Sequence, residues 1–187
     1  MTGRLTDLGQ IETAVWREMS SAASERGHEW RTPVLATVAI DQQGSTVADA
    51  RTVVLRDVDV ENRRLLIYTD SRAQKVEQLA NQPQAMLVMW SQRLGWQLRC
   101  RIVCEVSEDG LAVSSHWTQI KLSGSTQDYL APLAPGETVG AQPRVLARRE
   151  HFALVTANVA DIDWLELHAE GHRRARFEGA GARWVQP

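Results

Sequence analysis

Arg51-Thr52-Val53-Val54-Leu55-Arg56, then Ile67-Tyr68-Thr69-Asp70-Ser71-Arg72-Ala73-Gln74-Lys75, then Gln97-Leu98-Arg99 are the segments on which the reading of this chain turns. Cationic and hydroxyl side chains recur where strand-like runs end. A β-scaffold can hold a phosphate this way without a glycine loop. Hydroxyls donate hydrogen bonds, and Arg and Lys donate charge-assisted ones. Arg51 by itself also reads as an edge-strand arginine facing solvent. Thr69, Ser71, Arg72 and Lys75 fall at a strand end and the first turn of a helix. Unpaired N–H groups and the helix dipole favour an anion there. The same four residues would equally make a capped surface helix with solvated charges, and composition alone does not separate the two.

Outward from these segments the chain alternates between strand and helix patterns. Leu8, Ile11, Ala14, Val15, Met19 and Ala22 recur at helical spacing, so the helix runs from about Asp7 to Ser24, with Thr6 or Asp7 as cap. Strands are expected over 34–40, 46–56 and 64–69, with Asp41 to Ser45 as a turn. A short helix over 71–81 has Val76 and Leu79 as its apolar stripe and Ser71 or Asp70 as its cap. The apolar run 85–90 reads as a strand buried on both faces. Further strands follow over 95–107, 152–167, 174–177 and 183–185, and a helix over 111–122. The stretch 123–143 carries three prolines and three glycines and reads as a long loop, a length that is usually functional or disordered. Six or more strands with a few helices make a mainly β, α+β domain, a barrel or sandwich with helical additions.

The 187 residues suffice for one domain, 1–187, with a sizeable core. The net charge of −2 offers nucleic acid nothing, so an anion site must be a local cluster. Only two of the 21 basic residues are lysines, and Lys75 is one of them. No segment approaches the roughly 20 apolar residues that span a bilayer. No signal-peptide run opens the sequence, so cytoplasmic location is the default expectation. Cys100 and Cys104 lie about 13 Å apart on a strand, beyond disulfide reach, on one face, and are expected to pack in the core. The five histidines show no metal-ligand spacing, so no metal is expected. No dinucleotide, Walker or nucleophile-elbow motif is present.

The order of these pieces resembles the pyridoxamine 5′-phosphate oxidase-like family of FMN-binding split barrels. The likeness covers roughly 31–81, 90–107 and 161–187. It implies an antiparallel six-stranded split β-barrel with flanking helices, working as a homodimer with FMN at the interface. By that resemblance Arg51, Tyr68, Thr69 and Lys75 hold the FMN phosphate. Thr52 lies in the same run, Val53 and Val54 lie along the flavin, and Gln97 reaches its ring or ribityl region. Gln74 stands where the family has an arginine, with Arg72 or Ser71 to compensate. Trp164 and Arg176 match a Trp and an Arg that close over the flavin from the partner subunit.

The authentic oxidases carry an Arg-x-His pair for substrate near the C-terminus. Here the sequence reads His172-Arg173-Arg174 instead. The turn T-D-x-R-x-x-K and the end H-R-R-x-R are closer to another branch of the family. His172 and Arg174 are then the candidate substrate-binding residues, and no side chain stands out as acid–base catalyst. The resemblance implies an FMN-dependent oxidoreductase acting on a small molecule. The alternative is a non-catalytic flavin- or haem-binding protein on the same barrel.

Overall fold

The computed structural model describes residues 4–121, 133–138 and 151–187. Asp7 starts the first helix, α1 (Leu8–Ser24), its carboxylate accepting the Gln10 N–H at 2.9 Å. The apolar stripe of α1 buries Ile11, Val15, Trp16, Met19 and Ala22. A 3-10 turn at Glu29–Arg31 leads into β1 (Val34–Ile40). The remaining elements are β2 (Thr46–Thr52), β3 (Leu55–Asp59), β4 (Arg64–Asp70), α2 (Gln74–Asn81), β5 (Gln84–Ser91), β6 (Trp96–Ser107), α3 (Gly110–Lys121), β7 (Phe152–Glu166), β8 (Arg173–Glu178) and β9 (Gly181–Val185). The long loop expected over 123–143 lies outside the described residues apart from 133–138.

The expected strand over 46–56 is two strands at opposite ends of one sheet. The order is β2-β1-β5-β6-β7-β4-β3, with β8 and β9 added beside β7. All pairs are antiparallel. The Val53 N–H turns back to the Pro33 carbonyl (2.9 Å), and Leu55 then pairs with Ile67 across the sheet. Only Val53 and Val54 join the two sheet ends, and three Cα steps reach at most about 11 Å. The sheet therefore curls until β2 and β3 nearly meet, yet no ladder joins them. This is an open antiparallel barrel, and the described residues hold nine strands rather than six, with three helices.

The curl gives the sheet an inner face. Leu35, Leu65, Ile67, Leu87, Leu98, Ile162 and Phe177 fill it, with α1 packed against them. Cys100 and Cys104 both point into this core, and burial pushes each thiol up to about 12. Strand β7 keeps its inward residues in phase across its 15 residues by a bulge at Ala160. Val155, Ala157 and Val159 face inward before it, and Ile162 and Trp164 after it. A second small cluster of Val113, Trp117, Ile120, Phe152 and Leu154 lies under α3.

Two local expectations change. Helix α2 begins at Gln74, with Ala73 at its N-cap and no side-chain cap. The Asp70 carboxylate instead accepts the Arg72 backbone N–H and guanidinium. Strand β5 is not buried on both faces: Leu87 and Met89 face the core, while Trp90 is 45% exposed on the outer face. No helix of the described residues is long and apolar enough to cross a membrane.

Candidate functional site

Three elements bring the first cluster together at one end of the inner face: β2 carries Arg51, β4 carries Thr69, and α2 carries Lys75. Arg51 is half-buried. Its guanidinium donates to Thr37 Oγ1 (2.5 Å), to Gln78 Oε1 (2.9 Å) and to the Asp49 carboxylate. Gln78 closes the ring by donating to Asp49 (2.9 Å) and accepting from Thr37 (2.6 Å). Thr37, Asp49 and Gln78 were not legible as site residues. Only the pairings of β1 with β2, and the seating of α2 over β1, put them beside Arg51.

One turn before Gln78 on α2, Lys75 makes a single side-chain hydrogen bond among the described residues. It donates to Thr69 Oγ1 at 3.0 Å. Burial lowers its pKa first, and the neighbouring Arg51 charge lowers it further, against a smaller opposite pull from Asp70. The Thr69 hydroxyl hydrogen has only a long contact to the Asp70 carbonyl, 3.4 Å. Two N–H donors of Lys75 and one O–H donor of Thr69 therefore stand beside a second cation. That donor set fits a phosphate.

The other residues of the 67–75 segment point elsewhere. Arg72 is held by Asp70 through two hydrogen bonds of 3.0 and 2.6 Å and reaches the Leu133 carbonyl at 3.4 Å. Burial raises the Asp70 carboxyl, but the hydrogen bonds and charge of Arg72 outweigh it and hold the pKa low. Ser71 donates its backbone N–H to the His151 carbonyl (2.7 Å). Gln74 is exposed at the start of α2. Tyr68 alternates to the opposite side of β4 from Thr69. Its hydroxyl lies 2.9 Å from His116 Nδ1, and its ring meets Phe152 edge-on. Arg56 is the bulge residue of β3 and stacks over the Tyr68 ring at 5.5 Å. A basic side chain five positions after Arg51 was the available sequence signal for Arg56.

Thr52 is exposed on β2, and Val53 and Val54 form the gap between the sheet ends. Gln97 lies on the outer face in a cross-strand row with Trp90, Leu165 and Arg174. Arg174 is clamped on Asp163 by bonds of 2.8 and 2.6 Å, which raise its pKa. Arg176 approaches the same carboxylate at 3.5 Å. His172 is exposed, its Nδ1 accepting the His168 N–H (3.2 Å). Trp164 is enclosed in the core between Trp96 and Trp184, with centroids at 5.4 and 6.2 Å. The tryptophan that reaches solvent at this end is Trp184. No group of three or more metal-ligating side chains gathers among the described residues.

The curled antiparallel sheet, open at Val53–Val54, is the architecture of a split barrel. The chain belongs to the family of pyridoxamine 5′-phosphate oxidase FMN-binding domains, whose model matches residues 13–108, more than half of its length. Its fold is shared by a pyridoxamine 5′-phosphate oxidase-related, FMN-binding protein of Nostoc punctiforme. The two are 22% identical, with 98% of each chain covered and a TM-score of 0.69. PhzG of Burkholderia lata, solved with tetrahydrophenazine-1-carboxylic acid, has a TM-score of 0.72 at 16% identity, with 100% and 99% covered. A haem-binding protein of Mycobacterium smegmatis is similar at a TM-score of 0.51 and 13% identity, covering 95% of this chain and 60% of that one. No curated protein matches.

Proposed function

We propose that the chain is an FMN-binding flavoprotein that acts as a homodimeric oxidoreductase on a small molecule. The observation that carries this is the juxtaposition of Lys75, Thr69 and Arg51. Here a half-buried lysine with one neutral hydrogen-bond partner faces an arginine. Such a lysine is costly to bury unless an anion completes its shell. Bound FMN would supply the redox chemistry, and the protein supplies position and electrostatics.

In this reading Lys75 and Thr69 donate to the phosphate, and Arg51, fixed by Asp49 and Gln78, adds charge. Val53 and Val54 offer backbone groups along the cofactor. Gln97 presents its amide on the outer face near Trp90. The outer face also argues for a second copy of the chain. Val34, Trp90 and Val103 are exposed there beside a ladder of Arg99, Asp163 and Arg176. Arg176 is the residue of that ladder assigned to the partner's cofactor.

Flavin is favoured by the donor set, since Lys75 and Thr69 beside Arg51 suit a phosphate. The test is the absorption spectrum of the purified protein after incubation with FMN or haem, followed by anaerobic reduction with NAD(P)H. The expected result is a flavin spectrum that bleaches on reduction. A haem Soret band and no retained flavin would reject the reading. A retained flavin that no donor reduces would make the chain a carrier.

A further inference from the structure

Four of the seven tryptophans meet in a line through the core. Trp30 in the 3-10 turn lies 6.5 Å from Trp96 at the start of β6, centroid to centroid. Trp96 lies 5.4 Å from Trp164 on β7, and Trp164 lies 6.2 Å from Trp184 on β9. In the cross-strand row Trp164–Ala175–Trp184 the small, buried Ala175 leaves room for the last two rings to meet. The first three rings are buried, and Trp184 is 44% exposed. The line therefore runs from the core to the surface.

Apolar packing alone does not call for indoles here. The Nε1 atoms of Trp30 and Trp164 are buried without a hydrogen-bond partner. A buried tryptophan N–H ordinarily finds an acceptor, and an orphaned donor is a cost that phenylalanine would not carry. What an indole adds is readiness to give up an electron. We propose that these four rings form a relay that takes an oxidising equivalent from the surface at Trp184 and holds it at Trp96.

The surroundings of the rings set the direction. The Arg173 guanidinium lies 5.6 Å from both the Trp164 and the Trp184 rings, so positive charge is disfavoured on either. Trp96 is the one buried ring of the line whose N–H meets a base, donating to Glu166 Oε1 at 3.3 Å. Burial raises the Glu166 carboxyl, but Arg173 and Arg4 outweigh it and keep it ionised. A one-electron oxidant of the oxygen-radical class takes an electron from Trp184 and becomes its anion. Trp184 is restored by Trp164, and Trp164 by Trp96. The Trp96 Nε1 proton then passes along its hydrogen bond to Glu166. One N–H bond breaks and one O–H bond forms, leaving a neutral indolyl radical at Trp96 and a protonated Glu166.

The experiment is flash oxidation of the full chain by a photogenerated ruthenium(III) polypyridyl complex, with the radical followed by transient absorption. Trp90 is exposed on the outer face and would also react, so every protein carries Trp90→Phe. A radical confined to exposed Trp184 is short-lived, because it meets other molecules. The proposal expects a long-lived neutral indolyl radical that is lost in Trp96→Phe and in Trp164→Phe. It expects Glu166→Gln to replace the neutral spectrum by that of the radical cation. A long-lived radical that persists unchanged in Trp96→Phe or Trp164→Phe overturns the relay. So does a neutral radical that Glu166→Gln leaves unaltered, or the absence of any long-lived radical from the Trp90→Phe protein. Should a core variant fail to fold, Trp184→Phe at the surface tests the same path: loss of the radical supports the relay, and an unchanged yield overturns it.

Discussion

Lys75 and Arg51 face each other at the end of the inner sheet face. The arginine charge depresses the lysine's pKa on top of the larger effect of burial. Each charge has an identifiable anchor: Thr69 for the lysine, and Asp49 with Gln78 for the arginine. Two cations held this way are stable neighbours once an anion lies between them.

That relationship sets a pH dependence. The lowered pKa means that Lys75 loses its proton at a pH below the ordinary lysine range of about 10.4. Affinity for FMN should be flat near neutrality and fall on the alkaline side earlier than an unperturbed lysine would cause. Lys75→Arg should bind FMN and abolish that fall, because arginine stays protonated. Fluorescence titrations between pH 7 and 10.5 check it. An identical fall in both proteins would remove Lys75 from the phosphate shell.

Acid should unfold the protein through the carboxylates of β7. Burial raises Asp163 and Glu166, but Arg174 and Arg173 respectively, by hydrogen bond and charge, outweigh it and lower both. Groups with depressed folded pKa values stabilise fully above the unfolded carboxyl value, near 4. That contribution is lost as pH falls through their folded values. Asp163→Asn should cost about 2 kcal/mol at pH 7 and less at pH 3, below the unfolded carboxyl value. Denaturant unfolding at both pH values measures the difference, and an equal cost at both would contradict the linkage.

Much of this architecture was legible before the structure. The limits of α1, β1 and the β1–β2 turn follow from the Asp7 cap, the apolar run and Asp41-Gln42-Gln43-Gly44. The break at Val53–Val54 was not legible. Residues 46–56 read as one run because both halves are strand-like, and only the sheet order shows that they pair at opposite ends. The Asp70 cap failed because a guanidinium two residues on competes better for the carboxylate than helix N–H groups do. Arg51, Thr69 and Lys75 were legible as residue types. The shell that orients Arg51 was not, since Thr37, Asp49 and Gln78 come from three elements. Trp164 looked like a site residue from the resemblance. The bulge at Ala160 keeps it in phase with the core.

The outer sheet face should be a subunit interface. Trp90 is its largest exposed apolar side chain, and burying an aromatic contributes about 1.5–3 kcal/mol per copy. Sedimentation at micromolar concentration should show twice the 20.9 kDa chain mass, and Trp90→Glu should shift the protein to monomer with FMN affinity reduced. A natural sequence that is monomeric and binds FMN tightly would refute a shared site.

Pyridoxamine 5′-phosphate should be a poor substrate. Arg174 is occupied by Asp163 in a two-point clamp, and His172 is engaged by the His168 N–H. A substrate phosphate would have to displace a charge-assisted pair, and a site left with unpaired polar groups discriminates strongly. An aerobic assay for pyridoxal phosphate and peroxide on FMN-loaded protein should give far less than the ordinary enzyme range of about 1 per second. Turnover in that range would show that the clamp opens for substrate.

The phosphate site is tested most directly by titrating the protein with FMN and with riboflavin, which differ only in the phosphate, alongside Arg51→Ala and Lys75→Ala. Each charge-assisted contact contributes about 1.5–3 kcal/mol. FMN should therefore bind more than tenfold tighter than riboflavin, and each variant should erode that preference by weakening FMN alone. Equal affinity for the two flavins, with both variants unchanged, would contradict the account.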